Sequence, residues 1–525
     1  MSGMFDKKTD KAKRKLEQTQ KEQTEKRKTR RTAIIIIAVL LVVSAVAITL
    51  NSNFVRRTLP VVTIDGVSFT TAEFEYFVNV ENMEHVNLWS QMGMEEALPD
   101  PERPLSTQTS FFDEDMTWAD YFIDEALTTL TELVALYNAA NASGFELTEE
   151  QIEAIDEDIE MIALQAAMWQ FPSADSLLQI QFGNAMNVRV YREILEFISI
   201  AGAYNEHVRE SFEYSEQELI TYYNEHRDDL DFFNFRQVLV QAESIFEEDF
   251  ENDDIFSEAL QNASNEARLS AYNIIEDVEN EDDFIVAAGE YNESFHDPVF
   301  TIRQTQGENL ADDIRDWLID DARDYGDTVV IEMNEGQSFS VLFYISRDDN
   351  NYQMVGMRQI LLSRPFIDPS EFLDGEDDPA YLDAVELAEQ ELHARGALVR
   401  SLFETAGGTE AALLELMDEH SDDHTEGGYY PNIAMATFHG TGFNGMRVVT
   451  EIEEWLFDES RTVGDWELIY TEAFGYHLVY FTGFYDLFFE AMAADLMRTD
   501  NHSEWIENLH RGVPERNAAF FFVQV

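Results

Sequence analysis

The feature that most constrains this chain is an internal repeat. Arg236-Gln237-Val238-Leu239-Val240 returns as Arg358-Gln359-Ile360-Leu361-Leu362, an offset of 122 residues. Trp317-Leu318-Ile319-Asp320-Asp321-Ala322-Arg323, followed by Gly326-Asp327, returns as Trp455-Leu456-Phe457-Asp458-Glu459-Ser460-Arg461 with Gly464-Asp465, an offset of 138. Two motifs repeated in the same order require two copies of one folding unit. Each copy reads as strand, helices, a W-L-x-D-x-x-R helix, a G-D turn and a closing strand. The expected strands are Phe235–Val240 and Val341–Ile345, then Met357–Leu362 and His477–Phe481. The sequence therefore predicts two tandem α+β domains, over 231–347 and 352–485.

The copies are unequal. The second holds 16 more residues between its motifs, and much of the difference falls in 419–446, which contains Ser421-Asp422-Asp423-His424-Thr425-Glu426-Gly427-Gly428. The first copy has no Gly-Gly loop, and no His between Asp327 and Arg347, whereas the second has His477 on its closing strand. A polar constellation is thus expected in one copy alone.

Ahead of the repeats, apolar residues recur at helical spacing from Thr70 to Arg227. Phe122, Ala126, Leu127, Leu130, Leu133, Val134 and Tyr137 form one such face, and Ile152, Ile155, Ile159 and Ile162 another. Thr70-Thr71 before Glu73 and Thr148 before Glu149-Glu150 are helix-start patterns. A mainly helical domain is expected over 60–230. A C-terminal helical segment, 486–525, carries Met492, Leu496, Trp505 and Leu509 at helical spacing.

Charge divides the chain again. Residues 1–32 carry 12 basic and five acidic side chains, and the remainder 22 basic against 99 acidic; Lys28 is the last lysine. Between them, residues 33–50 are free of charge, and 18 residues span about 27 Å as a helix, near the thickness of a bilayer core. We read them as a transmembrane helix with the basic tail 1–32 in the cytoplasm, against the weaker opposing pair Arg56 and Arg57. Ala45-Val46-Ala47 fits a signal-peptidase site, but the long basic leader favours an uncleaved anchor. The expectation is a single-pass membrane protein with the bulk of its chain outside the cytoplasm. A formal net charge of −70 repels phosphate backbones and argues against nucleic acid as a partner. The absence of Cys excludes disulfides, thiolate metal sites and cysteine nucleophiles. His420 and His424, spaced i, i+4, could ligate a metal on a helix, but the Gly-Gly context points to a loop; no metal and no cofactor is expected. Trp317 and Trp455 read as core anchors, and the acidic runs 247–254 and 374–378 as surface loops.

Three segments carry a resemblance to a known family. Val62-Thr63-Ile64-Asp65-Gly66 with Thr70–Phe74 is one. Ser215-Glu216-Gln217-Glu218-Leu219, Tyr222-Tyr223 and Arg236–Val240 form the second. Ser421–Gly428, Glu451-Ile452-Glu453 and Phe474-Gly475-Tyr476-His477 form the third. In this order they resemble membrane-anchored foldases with parvulin-type (rotamase) peptidyl-prolyl isomerase domains, in the layout of the SurA and PrsA chaperones of bacterial envelopes.

The resemblance implies a helical chaperone domain completed by the C-terminal helix, and clients that are unfolded or newly exported polypeptides containing X-Pro bonds. In the second domain it implies catalytic roles for His477 on the last strand and for Asp423, which falls where the family has Asp or Cys. Gln359 stands in place of the family's first-strand His; it can hydrogen-bond but not titrate. Val448 and Ile452 take proline-pocket positions usually held by Met and Phe, Phe457 keeps the later aromatic, and Met446 lies two residues before the expected Met. The first domain, with Gln237 and neither loop nor His, is expected to be catalytically silent. An X-Pro bond rotates over a barrier of about 18–20 kcal/mol, slow enough to limit folding. Two functions follow: isomerisation and chaperoning of exported proteins, or a binding-only holdase built on inactive parvulin domains. The bland alternative for His477, Asp422 and Asp423 is a packed strand residue beside solvated turn residues. An acidic surface scaffold is a third and weaker reading, since it gives no reason for two unequal isomerase-like repeats.

Overall fold

The computed structural model describes residues 36–37, 39, 52–246, 250, 252–289, 303–435 and 448–523. The chain divides into two compact units, Met1–Glu213 with Arg498–Val525, and Tyr214–Met497. The architecture is α+β and multidomain, with three sheets among the described residues.

In the first unit, strands β1 (Pro60–Ile64) and β2 (Val67–Thr70) form an antiparallel hairpin. Its turn residues Asp65 and Gly66 both have positive φ, as a two-residue hairpin turn requires. Helix α1 (Thr71–Gln91) starts at once, held by a reciprocal cap between Thr70 and Glu73. The same device opens α2 (Trp118–Ser143) through Thr117 and Asp120, and α3 (Glu149–Met168) through Thr148 and Gln151. Helices α4 (Ala174–Phe182) and α5 (Val188–Glu210) complete the body. Its core joins Ile64 and Phe74 to Phe122, Leu130 and Leu178. The chain's end returns here: Glu515–Arg516 pairs antiparallel with β1, and His502 meets Asn205 at 2.9 Å.

The second unit begins with α6 (Glu216–Glu225), capped by Ser215 and Glu218. Its first sheet has the order β4-β3-β6-β5, all antiparallel: β3 (Phe232–Gln241), β4 (Arg303–Gln306), β5 (Thr328–Met333) and β6 (Ser338–Asp348). Helices α7 (Asp253–Ile275) and α8 (Glu281–Gly289) cover one face, and the short α9 (Asp312–Leu318) the other. The second sheet repeats this order as β8-β7-β10-β9: β7 (Gln353–Ser363), β8 (Tyr429–Ile433), β9 (Trp466–Thr471) and β10 (Gly475–Leu487). Helices α10 (Pro379–Thr405) and α11 (Glu410–His420) take the places of α7 and α8, and α12 (Thr450–Leu456) that of α9. Helix α13 (Phe488–Glu507) follows β10 directly.

The repeated motif has a mechanical explanation. Arg323 stacks 4.1 Å over the Trp317 ring and its Nε–H donates to the Trp317 carbonyl; Arg461 stacks 3.9 Å over Trp455 and donates likewise. Asp320 and Asp458 accept from the N–H groups of Ala322 and Ser460, which turns the chain so that the arginine folds back. Gly326 and Gly464 then pass through matching positive φ angles of 96° and 97° into β5 and β9. Arg236 and Arg358 are matched as well, each pairing with the first residue of the second covering helix, Glu281 at 2.7 Å and Glu410 at 2.6 Å.

One expectation is corrected. No helix among the described residues is long and apolar enough to cross a membrane. The long ones are amphipathic: α2 is 26 residues long but carries Asp120, Asp124, Glu125 and Glu132. The stretch 33–50 lies outside the described residues except for Ile36, Ile37 and Val39, which are helical and exposed. Among the described residues no membrane-spanning helix is found, and the single-pass placement built on one is withdrawn. Arg56 and Arg57 are not a charged flank either. Arg56 is buried against Glu75 at 3.4 Å and donates to the Phe522 carbonyl; Arg57 donates to the carbonyls of Ala185 and Met186. They tie the start of the first unit into its core.

Candidate functional site

Strand parity decides which side chains can meet in the second sheet. On β7 and β10, Ile360, Leu362, Leu478 and Tyr480 face α10 and α11. Alternate residues point the other way: Val355, Met357 and Gln359 on β7, and His477, Val479 and Phe481 on β10. This second face is polar at one end and apolar at the other.

The polar end is a continuous chain of hydrogen bonds. His477 Nδ1 lies 2.9 Å from Gln359 Oε1, and its Nε2 lies 3.2 Å from Thr471 Oγ1. Gln359 Nε2 donates to Asp423 Oδ2 at 2.8 Å, and the Tyr430 hydroxyl donates to the same oxygen at 2.7 Å. Asp423 Oδ1 accepts from the Thr425 N–H at 2.9 Å. The directions follow from the carboxylate, which can only accept. Asp423 turns the amide nitrogen of Gln359 toward itself, so the amide oxygen faces His477, and Nδ1 must carry the imidazole proton. Nε2 is then a lone pair facing the Thr471 hydroxyl, whose one proton is shared between it and the Gly475 carbonyl at 3.4 Å.

Electrostatics agree with this assignment. Burial lowers the His477 pKa to about 4, with Asp423 and Glu451 opposing the shift only in part. The imidazole is neutral at pH 7. Burial also penalises the charged form of Asp423, but the N–H of Thr425, the Tyr430 hydroxyl and the Gln359 amide together hold its carboxyl below the usual range. The network therefore carries one fixed negative charge and a neutral ring in one tautomer.

The loop that brings Asp423 here needs its glycines. Gly427 and Gly428 have φ of 59° and 54°, and a Cβ on Gly428 would lie 2.3 Å from the Gln359 carbonyl oxygen. Ser421 and Asp422 stitch the loop to β7: the Leu361 and Ser363 N–H groups donate to their side chains, and the Leu361 carbonyl accepts from the Asp422 N–H.

At the apolar end, Ile452 and Leu456 of α12 pack against Met357, Val479 and Phe481, with Val448, Phe457 and Tyr430 half-buried at the margin. Ile452 is only 2% exposed and serves the core, and the Phe457 ring meets Tyr352 edge-on. Tyr430, bonded to Asp423, and Ile469, directly across the strands from His477, are the half-buried residues of this cluster that adjoin the network. Met446 lies outside the described residues.

The structure thus brings His477, Asp423 and Gln359 together. Sequence reasoning missed Thr471 and Tyr430. Thr471 stands diagonal to His477 across the β9–β10 hairpin, on the same face, a placement that only the strand register reveals. His420 and His424 sit at the end of α11 and in the loop, and no group of three or more His, Asp or Glu among the described residues could hold a metal ion.

The first domain gives an internal comparison. The sheet register puts Ser340 where His477 stands and Met333 where Thr471 stands. Gln237 donates to Ser340 Oγ at 2.8 Å, so its amide is satisfied with no imidazole.

No known family model matches the chain. It has no match among curated proteins either.

Proposed function

We propose that the second domain binds polypeptides containing X-Pro bonds and catalyses their cis–trans isomerisation, in a chain whose other parts hold unfolded clients. One observation carries the reading: the Thr471–His477–Gln359–Asp423 network and an apolar surface share one face of a four-stranded sheet. The reaction makes and breaks no covalent bond. The planar amide concentrates negative charge on its carbonyl oxygen, and the twisted amide has less. A fixed carboxylate beside a neutral imidazole disfavours the planar form more than the twisted one, and an apolar wall for the proline ring keeps water away. Gln359 does not titrate; it transmits the orientation set by Asp423 to His477.

A second reading, a binding-only clamp, is favoured by the burial of Ile452, which fills with core what would otherwise be pocket. The two separate in cis–trans exchange of an X-Pro peptide followed by NMR with the full chain. Acceleration that falls at least tenfold in His477→Ala supports catalysis. Suppressed aggregation of an unfolded client without any acceleration supports the clamp and removes the enzyme.

A further inference from the structure

The helical unit keeps an apolar surface in water at the end of α1. Leu88, Met92, Met94, Phe111 and Phe112 are each 42–59% exposed. They form one patch with Trp89. The Phe112 ring lies 5.5 Å from that of Trp89 and 5.7 Å from that of His85, and Phe111 meets Phe112 edge-on at 5.5 Å. His85 in turn packs on Trp118 and Phe122, so the patch stands on the unit's core.

The segment between α1 and α2 carries both phenylalanines and is built to hold them. Its Gln108 is buried and bonds three backbone groups. Gln108 Oε1 accepts from the Asp100 N–H at 2.8 Å, and the amide nitrogen donates to the carbonyls of Asp100 and Arg103 at 2.9 and 2.7 Å. The Ser110 N–H donates to the Met116 carbonyl, and the Trp118 N–H to the Gln108 carbonyl. His85 Nε2 donates to the Ala97 carbonyl at 2.9 Å, since a carbonyl only accepts. Five large apolar side chains are thus fixed half in water. A contiguous exposed apolar patch marks a binding surface, and unbranched, polarisable methionines adapt to partners of different shape.

Charge selects the partner. Residues 81–118 carry nine carboxylates against one arginine, Arg103, which donates to the Thr107 carbonyl. Glu95 and Glu96 follow Met94, and Asp113, Glu114 and Asp115 follow Phe112; all five are exposed and in no ion pair among the described residues. Acidic segments and anionic bilayers are repelled, and pairing two copies of the patch would bring these carboxylates together. An apolar stretch flanked by Lys or Arg satisfies both the rings and the acidic rim.

We propose that the end of α1 and the segment after it are the docking surface for unfolded polypeptide, selecting apolar stretches flanked by basic residues. The inference rests on the reading that parts of the chain outside the second domain hold clients, and it names the surface and the client chemistry.

The test is binding of three short fluorescent peptides without proline to the full chain: a Leu- and Phe-rich run flanked by Lys, the same run flanked by Glu, and a Ser run flanked by Lys. The first should bind about tenfold tighter than either of the others. Leu88→Gln with Met92→Gln and Phe111→Ser, at three exposed positions, should weaken it about tenfold and leave X-Pro exchange unaltered. Glu95→Lys with Glu96→Lys should bring the Lys-flanked and Glu-flanked peptides to similar affinity. Met161→Gln with Leu164→Gln and Met168→Gln, the same kind of change on the exposed face of α3, should leave binding within about twofold. Equal losses in the two triple variants, or no preference for Lys flanks, overturns the surface. Binding to phosphatidylcholine vesicles, or a concentration-dependent dimer, that the first variant abolishes while peptide binding is unchanged gives the patch to a bilayer or a second copy and likewise overturns it. Peptide binding that the first variant weakens, in a chain that does not accelerate X-Pro exchange, upholds the surface and removes the isomerase alone.

Discussion

The sharpest consequence of the network is the behaviour of His477 toward protons. Its pKa is held at about 4 by burial, against an ordinary value of 6.5. The unfolded chain takes up the proton first as pH falls, so this histidine contributes stability above pH 6.5 that disappears as pH drops toward 4. With about 1.4 kcal/mol per pKa unit, the loss from this group is about 2 kcal/mol between pH 8 and pH 5, and about 3 kcal/mol by pH 4.

Two assays read it. In the full chain labelled with ¹⁵N,¹³C-histidine, His477→Gln identifies the resonance, which should keep neutral-ring shifts down to about pH 5. Nδ1 should carry the proton and Nε2 should show a lone pair. In denaturant unfolding, the stability of the wild type relative to His477→Gln should fall by about 2 kcal/mol from pH 8 to pH 5. A midpoint between pH 6 and 7, or a ring protonated on Nε2, refutes both the direction of the Gln359 amide and the neutral-network reasoning.

Asp423→Asn should lower the His477 pKa further, since a negative charge that favours the imidazolium is removed; a rise in the same NMR titration would contradict the network. Gly428→Ala forces a Cβ against the Gln359 carbonyl at positive φ, and should cost more than about 2 kcal/mol in denaturant unfolding and shift the His477 resonance as the loop moves. Arg461→Gln and Arg323→Gln each remove a stacked guanidinium and its bond to a tryptophan carbonyl; each should cost about 1–2 kcal/mol, and equal losses by calorimetry would confirm that the motif is a structural lock in both copies.

What could be read from the sequence was local or repeated. Helix starts at Thr70, Thr148 and Ser215 are legible because a capping box needs two residue types three positions apart. The W-L-x-D-x-x-R motif survives in both copies because a ring, a turn and a guanidinium must keep one spacing. Long-range pairing was not legible. The inward turn of Ile452 depends on where α12 lands on the sheet, and the burial of Arg56 on the carbonyl of Phe522, 466 residues away. Thr471 became visible only once the hairpin register was known.

The two copies also differ in which residues build the network. Gln237 and Gln359 are retained alike, so glutamine at this position is not by itself the mark of a site. The difference lies in Ser340 for His477 and Met333 for Thr471: the first copy closes the position with a small, fully buried hydroxyl on the same face as Leu342. Ser340→His should therefore find neither room for the ring nor a Thr471-like partner for Nε2. Overpacking and an unsatisfied ring nitrogen together should cost more than about 2 kcal/mol in denaturant unfolding. A neutral substitution, with the new ring showing the Nδ1–H tautomer by NMR, would mean that the first copy still holds the space and polarity of a network. The difference between the copies would then rest on one side chain rather than on a rebuilt core.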